Sequence, residues 1–477
     1  MSHVLAIDIG TSRVKAALID RKGSLCALES ESVSRTDSPD RQSAEAWYGI
    51  AASCIKRVME KGITPDGVAL TGNMHALLGI DANGLPVADA ELWCSTAAGK
   101  ESDELARDHG GIILARTGNP VTPVFTLPKM LRMKKNTPED WKRVRCFLQV
   151  KDYIAYRLTG ECVTDGTDAS GTLLYRLDEL HWDEELAQEL DIPLDRLPPV
   201  LKSTEICGKV SRTAAQETGL TAGTPVVIGC GDLASAALGA GTDRDTVSLT
   251  LGTAGQLLAA GERGHYGSLA GKLFAFVHAD PALDLYLGSV PGGGFSFEWL
   301  AKNTFRCTLD EFFSLADHSA ETLPVFLPYL LGRGAPYMDY KPCAKWVDMT
   351  AHHTSQDIAA GAVYGVLSAL RQSCDILEKS IHPYRSVVLQ SLANRETAVR
   401  RAANALFRQE AKELPRNPEA SLLGAAMLGM IGLGVFSTFG EAQTNMIHRD
   451  RLPVPDPAET ARAQSYYRRY LASADEI

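Results

Sequence analysis

The stretch Ala6-Ile7-Asp8-Ile9-Gly10-Thr11-Ser12 closes a short apolar run with a glycine and two hydroxyls, and a second apolar run, Val14 to Ile19, follows at once. A strand that doubles back within a few residues reads this way. Glycine permits the tight turn, and its missing side chain lets a ligand approach the backbone N–H groups. The arrangement recurs at Leu249-Thr250-Leu251-Gly252-Thr253-Ala254-Gly255, ahead of the run Leu257 to Ala260. Two such turns, one in each half of the chain, suit a polyphosphate gripped from both sides. Only the first carries a carboxylate, Asp8, where a metal could be held directly or through water. As a pair, with Asp232 between them, the turns point to an ATP-using phosphotransferase.

The bulk properties narrow the field. A chain of 477 residues exceeds what one core supports and implies at least two domains. With 45% hydrophobic and 22% charged residues the composition is globular, and a formal net charge of −10 argues against nucleic-acid or anionic-membrane partners. The ten cysteines are scattered with no Cys-x-x-Cys pair, so neither a zinc site nor a redox motif is expected. No apolar run reaches the roughly 18 residues of a membrane span. The first residues carry neither a basic region nor an apolar stretch of signal length, so a cytoplasmic protein is expected.

Along the chain, His3 to Ile9, Val14 to Ile19 and Leu25 to Val33 read as strands, Ser43 to Lys61 has helical spacing, and Gly67 to Thr71 is a short buried strand. The pattern restarts at Pro225 to Gly229, followed by a small-residue helix from Asp232 to Gly241 and a strand from Val247 to Leu251. This reads as a divergent internal duplication, with domains 1–244 and 245–477. Helices are expected at Ile358–Ile381, Glu396–Lys412 and Ser421–Leu433.

Phosphoryl transfer needs in-line positioning, neutralised phosphate charge and a base for the attacking hydroxyl. Thr11, Ser12, Gly252 and Thr253 offer N–H groups and hydroxyls to phosphate. Asp232, in Gly229-Cys230-Gly231-Asp232, sits where a strand end opens a helix. An aspartate there can be a simple helix cap, yet the glycines around Cys230 imply close approach by something, and a carboxylate there can take a proton from an alcohol.

Taken in order, Asp8-Ile9-Gly10-Thr11-Ser12, Met74-His75, Lys151-Asp152-Tyr153, Asp165-Gly166-Thr167-Asp168-Ala169-Ser170-Gly171-Thr172, Gly231-Asp232 and Leu251-Gly252-Thr253-Ala254-Gly255 resemble the FGGY carbohydrate kinases, most of all their xylulokinase branch. The resemblance implies an α/β chain of two ribonuclease-H-like, actin/hexokinase-type domains with ATP and sugar in an interdomain active-site cleft. It implies Asp232 as catalytic base, Met74, His75 and Asp232 on the sugar, and Asp8 and Asp232 at Mg²⁺. It places Gly10, Thr11, Ser12, Gly252, Thr253, Gly292, Gly293 and Ala393 on the nucleotide. The expected partners are a small sugar and MgATP, with a homodimer allowed. The expected reaction is phosphorylation of a sugar hydroxyl, D-xylulose to D-xylulose 5-phosphate first. A gluconate or other polyol or sugar-acid kinase comes second, and a catalytically weak binding relative third.

The chain departs from that family at four places. Leu233 follows Asp232 where xylulokinases have Asn. Trp93-Cys94-Ser95-Thr96-Ala97 stands for Trp-Asn-Asp-x-Arg. Arg132 replaces the Trp of Pro-Lys-x-x-Trp, with Pro128-Lys129 kept. Gln390-Ser391-Leu392-Ala393 replaces the Gly-Gly-Gly-Ala loop on which adenosine is expected to lie, so a weakened adenosine site is expected.

Overall fold

The computed structural model describes residues 2–34, 38–318 and 320–476. The chain divides into two compact units. The first holds Met1–Gly241 and takes back Phe276–Leu285 and Glu419–Ile447; the second holds Thr242–Ala275, Tyr286–Pro418 and His448–Ile477.

In the first unit, β1 (His3–Ile9), β2 (Arg13–Asp20), β3 (Leu25–Ser32), β4 (Gly67–Gly72), β5 (Ile206–Lys209) and β6 (Pro225–Gly231) form one sheet in the order β5-β6-β4-β1-β2-β3. β1, β2 and β3 are antiparallel neighbours, whereas β1, β4 and β6 run parallel. Parallel central strands are covered on both faces and therefore read as near-continuous apolar runs, as Val4 to Ile7 do. The edge strand β3 alternates between exposed and half-buried residues, as an edge open to water should. Helix α1 (Ala44–Met59) is capped by the Ser43 hydroxyl and buries Trp47, Ala51, Cys54, Ile55 and Val58 on one face.

Three close approaches depend on glycine. A Cβ on Gly10 would meet the Arg13 carbonyl oxygen at 2.7 Å, inside the turn that Gly10 N–H closes on that oxygen. The helix after β6, Asp232–Ala240, packs on Ala420–Gly432 so tightly that Cβ atoms on Gly239 and Gly424 would lie 1.9 and 2.0 Å from the Ala420 and Ser235 carbonyl oxygens. The small-residue composition of both helices is thus a packing requirement, with no chemistry implied.

The second unit repeats the plan. β7 (Thr246–Leu251) and β8 (Gly255–Glu262) make an antiparallel hairpin, and β7 pairs in parallel with the strand Ser386–Ser391, which pairs in parallel with Ala411–Pro415. The seven-stranded sheet also includes Phe274–Val277, Leu283–Val290 and Arg449–Arg451. Each sheet thus sets an antiparallel hairpin beside parallel strands, as expected of ribonuclease-H-like units.

One helix is shorter than its periodicity predicts. The helix over 396–412 runs only Thr397–Leu406, and Ala411–Pro415 is a strand. The Leu406 carbonyl is taken by Arg371 Nη1 at 2.6 Å and by Gln464 Nε2 at 3.1 Å. Those side chains satisfy the helix end, and the backbone beyond it is claimed by the sheet register Ser386↔Ala411 and Val387↔Lys412. Tertiary pairing overrides local propensity here.

Candidate active site

In the first unit, the C-terminal ends of β1, β4 and β6 bring the candidate residues together, which is where open α/β sheets carry their ligands. The turn after β1 is held in place by Trp47, fully buried, whose indole N–H donates to the Gly10 carbonyl at 3.3 Å. Trp93 Nε1 donates to the Thr11 hydroxyl at 3.2 Å, and Ser12 O accepts from Val33 N at 3.0 Å.

After β4, Asn73 bonds Ile9 O through both its backbone N–H and its side-chain amide, each at 3.0 Å, and so ties the Met74–His75 loop to the first turn. His75 adopts φ +66° and is 8% exposed. Its Nδ1 lies 2.9 Å from the Gly171 carbonyl oxygen. A carbonyl can only accept, so Nδ1 carries the proton and Nε2 is left as a lone-pair acceptor. Burial, with help from nearby Lys129, pushes the ring down to about 4, so it is neutral at physiological pH. Phe125 meets it edge-on at 5.0 Å and Phe276 flanks it at 5.6 Å.

Beneath the loop, fully buried Lys129 donates to His75 O at 2.7 Å and Val124 O at 2.5 Å. Burial pushes this lysine down to about 7. Lys129, kept with Pro128, thus staples the backbone of the Met74–His75 loop.

Gly231 ends β6 against Met74: a Cβ there would meet Met74 Cγ at 2.5 Å and Sδ at 2.7 Å. A bulge at Gly229, with φ +70°, shifts the β6 register so that Cys230 and Gly231 pair with Thr71 and Gly72. The next residue, Asp232, opens its helix and is partly buried. Burial and the nearby Asp8 carboxylate push Asp232 up to about 7. Asp8, partly buried near the end of β1, is pushed up to about 6 by burial, with Lys15 opposing and Glu419 reinforcing. A carboxylate raised by a neighbouring carboxylate, as Asp232 is by Asp8, is eased by a cation beside the pair. Among the described residues no group of three or more His, Cys, Asp or Glu could by itself cage a metal. A carboxylate pair without a cage suits magnesium, which keeps waters and takes its other oxygens from substrate phosphates.

The shifted carboxylates make stability depend on pH. Both folded values, about 6 and about 7, exceed the unfolded value near 3.9. The native state therefore holds extra protons between about pH 4 and 7, and the associated stability is lost as pH rises through that window. Asp232→Asn should remove its share of the penalty. In metal-free buffer its thermal-melt advantage over wild type is expected to grow from pH 5 to pH 8, to about 1–2 kcal/mol after discounting for partial exposure. Parallel melting curves across that range would show that Asp232 titrates normally.

The departures at Ser95 and Arg132 turn out to be linked. Buried Glu91 accepts from Ser95 Oγ at 2.9 Å and pairs with Arg132 Nη1 at 2.9 Å and Arg41 Nη2 at 3.2 Å. What reads in sequence as two separate losses is one replacement network.

In the second unit, the turn Gly252-Thr253-Ala254 closes through Gly252 N to Ala254 O at 3.0 Å, leaving Thr253 exposed. The helix Gly293–Leu300 docks on it: Gly294 N donates to Gly252 O at 2.9 Å and Phe295 N to Thr253 O at 3.0 Å. Cβ atoms on Gly293 and Gly294 would lie 2.2 Å from Gly255 N and 2.1 Å from Gly252 O. Gly293 and Gly294 are thus buried packing partners of the turn, whereas buried Gly292 faces Pro328 O, 3.2 Å from where its Cβ would lie. Ser391, paired with Leu251, has φ +55° and ψ −126°, a region essentially reserved for glycine. The backbone follows a path that suits glycine although the side chains of Gln390, Ser391 and Leu392 are present. Ala393 is fully buried beside them.

Residues 3–239 match the FGGY family of carbohydrate kinases, N-terminal domain, and residues 286–433 its C-terminal domain. The chain belongs to the FGGY family of carbohydrate kinases. A xylulose kinase of Lactococcus lactis is 29% identical over 483 residues, covering 98% of this chain and 95% of that protein. A xylulose kinase of Staphylococcus epidermidis is 30% identical over 485 residues, covering 98% and 96%. The solved structures of a ligand-bound xylulose kinase and of a gluconate kinase, both from Lactobacillus acidophilus, each give a TM-score of 0.92 at 22% and 23% identity, covering 100% of this chain and 98% of theirs. They share the two-domain fold of this FGGY kinase. Its chemistry is that of a sugar kinase, a phosphotransferase with an alcohol acceptor. Among its described residues no helix is long and apolar enough to cross a membrane.

Proposed function

We propose that this kinase phosphorylates a small neutral ketose from MgATP, with D-xylulose as the leading substrate and Asp232 as the general base. The observation that carries the reading is a partly buried carboxylate, pushed up to about 7, beside the Met74–His75 loop and Asp8. A base with that affinity accepts a hydroxyl proton near neutral pH without being saturated by solvent protons. As the sugar oxygen bonds the γ-phosphorus and the bond to the leaving ADP oxygen breaks, the sugar proton passes to Asp232. Met74 and the His75 Nε2 acceptor orient the sugar. Asp8 and Asp232 would hold magnesium, which supplies charge neutralisation on the transferring phosphates. Backbone N–H groups around Gly10–Ser12 would cradle them.

A neutral sugar is favoured over a sugar acid by the charges of the loop. His75 is neutral, Lys129 is spent on two carbonyls and Arg132 on Glu91. No one of these cations is left for a substrate carboxylate. A panel of pentuloses, polyols and sugar acids, scored by kcat/KM for sugar-dependent ADP release, tests this. D-xylulose should rank above D-gluconate; the reverse order would assign the sugar-acid reading, which the gluconate kinase of equal TM-score keeps in view.

The nucleotide base should be read poorly. Phosphate-cradling turns do not sense the base, and the loop expected to carry adenosine holds three side chains. Holding Ser391 in a glycine-type conformation costs roughly 1–3 kcal/mol. Relief of that strain means that Ser391→Gly alone should raise the melting temperature, whereas glycine at all of residues 390–392 should tighten ATP by about ten- to a hundredfold by letting adenosine regain one or two backbone contacts. ATP and GTP should support similar rates in the wild type. A strong preference for ATP over GTP, with tight ATP binding, would show that the base packs on Leu392 instead.

A further inference from the structure

The strand end before Asp232, the His75 ring and the segment carrying Phe276 all lean on one short segment that has no role so far. The helix Gly166–Ser170 is fixed from behind by a wholly buried ion cluster. Lys151 Nζ lies 2.6 Å from Asp152 Oδ1, 3.0 Å from Asp165 Oδ1 and 3.1 Å from Asp168 Oδ2, all with fully buried side chains. Asp165 in turn caps the helix, accepting from Thr167 N at 3.0 Å, and takes a further bond from Ser203 Oγ at 2.8 Å. A buried cluster of this kind is a poor source of stability but a stiff one, because losing Lys151 would strand buried carboxylates.

From that fixed base, successive residues reach different parts of the site. The Thr167 hydroxyl accepts from Gly231 N–H at 2.8 Å, holding the strand end that delivers Asp232. Ser170 Oγ donates to Thr167 O at 2.7 Å and accepts from Val277 N at 3.1 Å, which fixes the segment whose Phe276 flanks His75. Gly171 presents the carbonyl that sets the His75 tautomer, and a Cβ there would lie 2.6 Å from Nδ1. No atom of this segment needs to touch substrate for its geometry to matter.

We propose that Gly166–Gly171 is a positioning element for phosphoryl transfer, with Thr167 setting the place of Asp232 and Ser170, through Phe276, the place of His75. The inference rests on the sugar-kinase reading above. It separates two kinetic effects that a merely structural segment would not. Displacing a reacting group by about 1 Å can cost on the order of a hundredfold in rate. Thr167→Val keeps the shape but removes the acceptor for Gly231 N–H, and should lower kcat by about 10- to 100-fold with the MgATP KM unchanged. Thr167→Ser keeps the acceptor and should restore kcat to near wild type. Ser170→Ala should instead raise the sugar KM several-fold, with kcat and the MgATP KM unchanged.

The test is steady-state kinetics of the full-length wild type and three variants on D-xylulose and MgATP, with calorimetric D-xylulose binding and thermal melts alongside. The proposal stands if the kcat loss follows the Thr167 hydroxyl while the sugar-affinity loss follows Ser170. It is overturned if Thr167→Val keeps wild-type kcat, if Thr167→Ser is as impaired as Thr167→Val, or if Ser170→Ala binds and uses sugar normally. Should Thr167→Val not fold, Ser170→Ala decides by its calorimetric affinity. Wild type that binds D-xylulose but releases no ADP counts against the kinase reading alone, because the Ser170→Ala affinity still judges the positioning element.

Discussion

Asp232→Asn lowers kcat for sugar phosphorylation by about 10²–10⁴-fold, the range expected when a general base is removed, while the protein stays folded and binds MgATP. The amide keeps the shape of the side chain and the helix start but cannot take the proton. Relief of the Asp8–Asp232 repulsion should make the variant more stable than wild type above pH 7, so lost activity and gained stability arrive together. Burial and the Asp8 charge are the causes of the high Asp232 value, and the same causes would suit the residue to the proposed role of base. Active sites commonly hold groups in environments that cost stability. A variant with near wild-type kcat would remove the base from Asp232, and one destabilised at pH 8 would contradict the electrostatic account.

Asp8→Asn is the second large effect. Asp8 pairs with Lys15 across the β1–β2 hairpin and with Thr71 across β1–β4, so its backbone is fixed by the sheet. Lys15 is itself engaged by Glu419 at 2.5 Å, which limits how far it can neutralise Asp8. The carboxylate is therefore available to a divalent cation. Its removal takes away the more acidic carboxylate of the Asp8–Asp232 pair, and turnover should drop by about 10²–10³-fold, as losses of electrostatic transition-state stabilisation do. The magnesium concentration for half-maximal rate should rise, and the D-xylulose KM should change little. Titration calorimetry with and without magnesium separates the two. Unchanged magnesium dependence, with activity retained, would place the metal elsewhere.

The parts of this molecule that were legible in sequence are local ones. Gly10 reads as a turn because its neighbours on both sides are strand-like, and the structure adds only the contact that excludes a side chain, Arg13 O at 2.7 Å. The helix from Asp232 and its small-residue partner at Ala420–Gly432 were likewise visible from spacing alone. The Met74–His75 loop was legible only as part of a resemblance, and what holds it was not legible at all. Its supports come from Lys129, 54 residues on from His75, and from Gly171, 96 residues on. Nothing in a window around His75 signals either. The same non-locality hides the bond from Ser95 and Arg132 to one glutamate. It also misleads at Phe407–Lys412, where helical periodicity continues into residues that a neighbouring strand and Arg371 have claimed. Ser391 shows the converse: its residue type argues for an altered loop, yet the backbone takes a glycine-type path.

If Asp232 is the base, this chain moves a phosphoryl group from ATP to a neutral sugar hydroxyl only while that carboxylate is intact. Phosphorus-31 NMR of wild type and Asp232→Asn with MgATP and D-xylulose tests it in one measurement. Wild type should convert ATP to ADP only when the sugar is present, with a new phosphomonoester resonance growing in step with ADP, while the Asn variant shows almost none. ADP formation with inorganic phosphate as the only other product, or equal phosphomonoester from both proteins, would contradict the account.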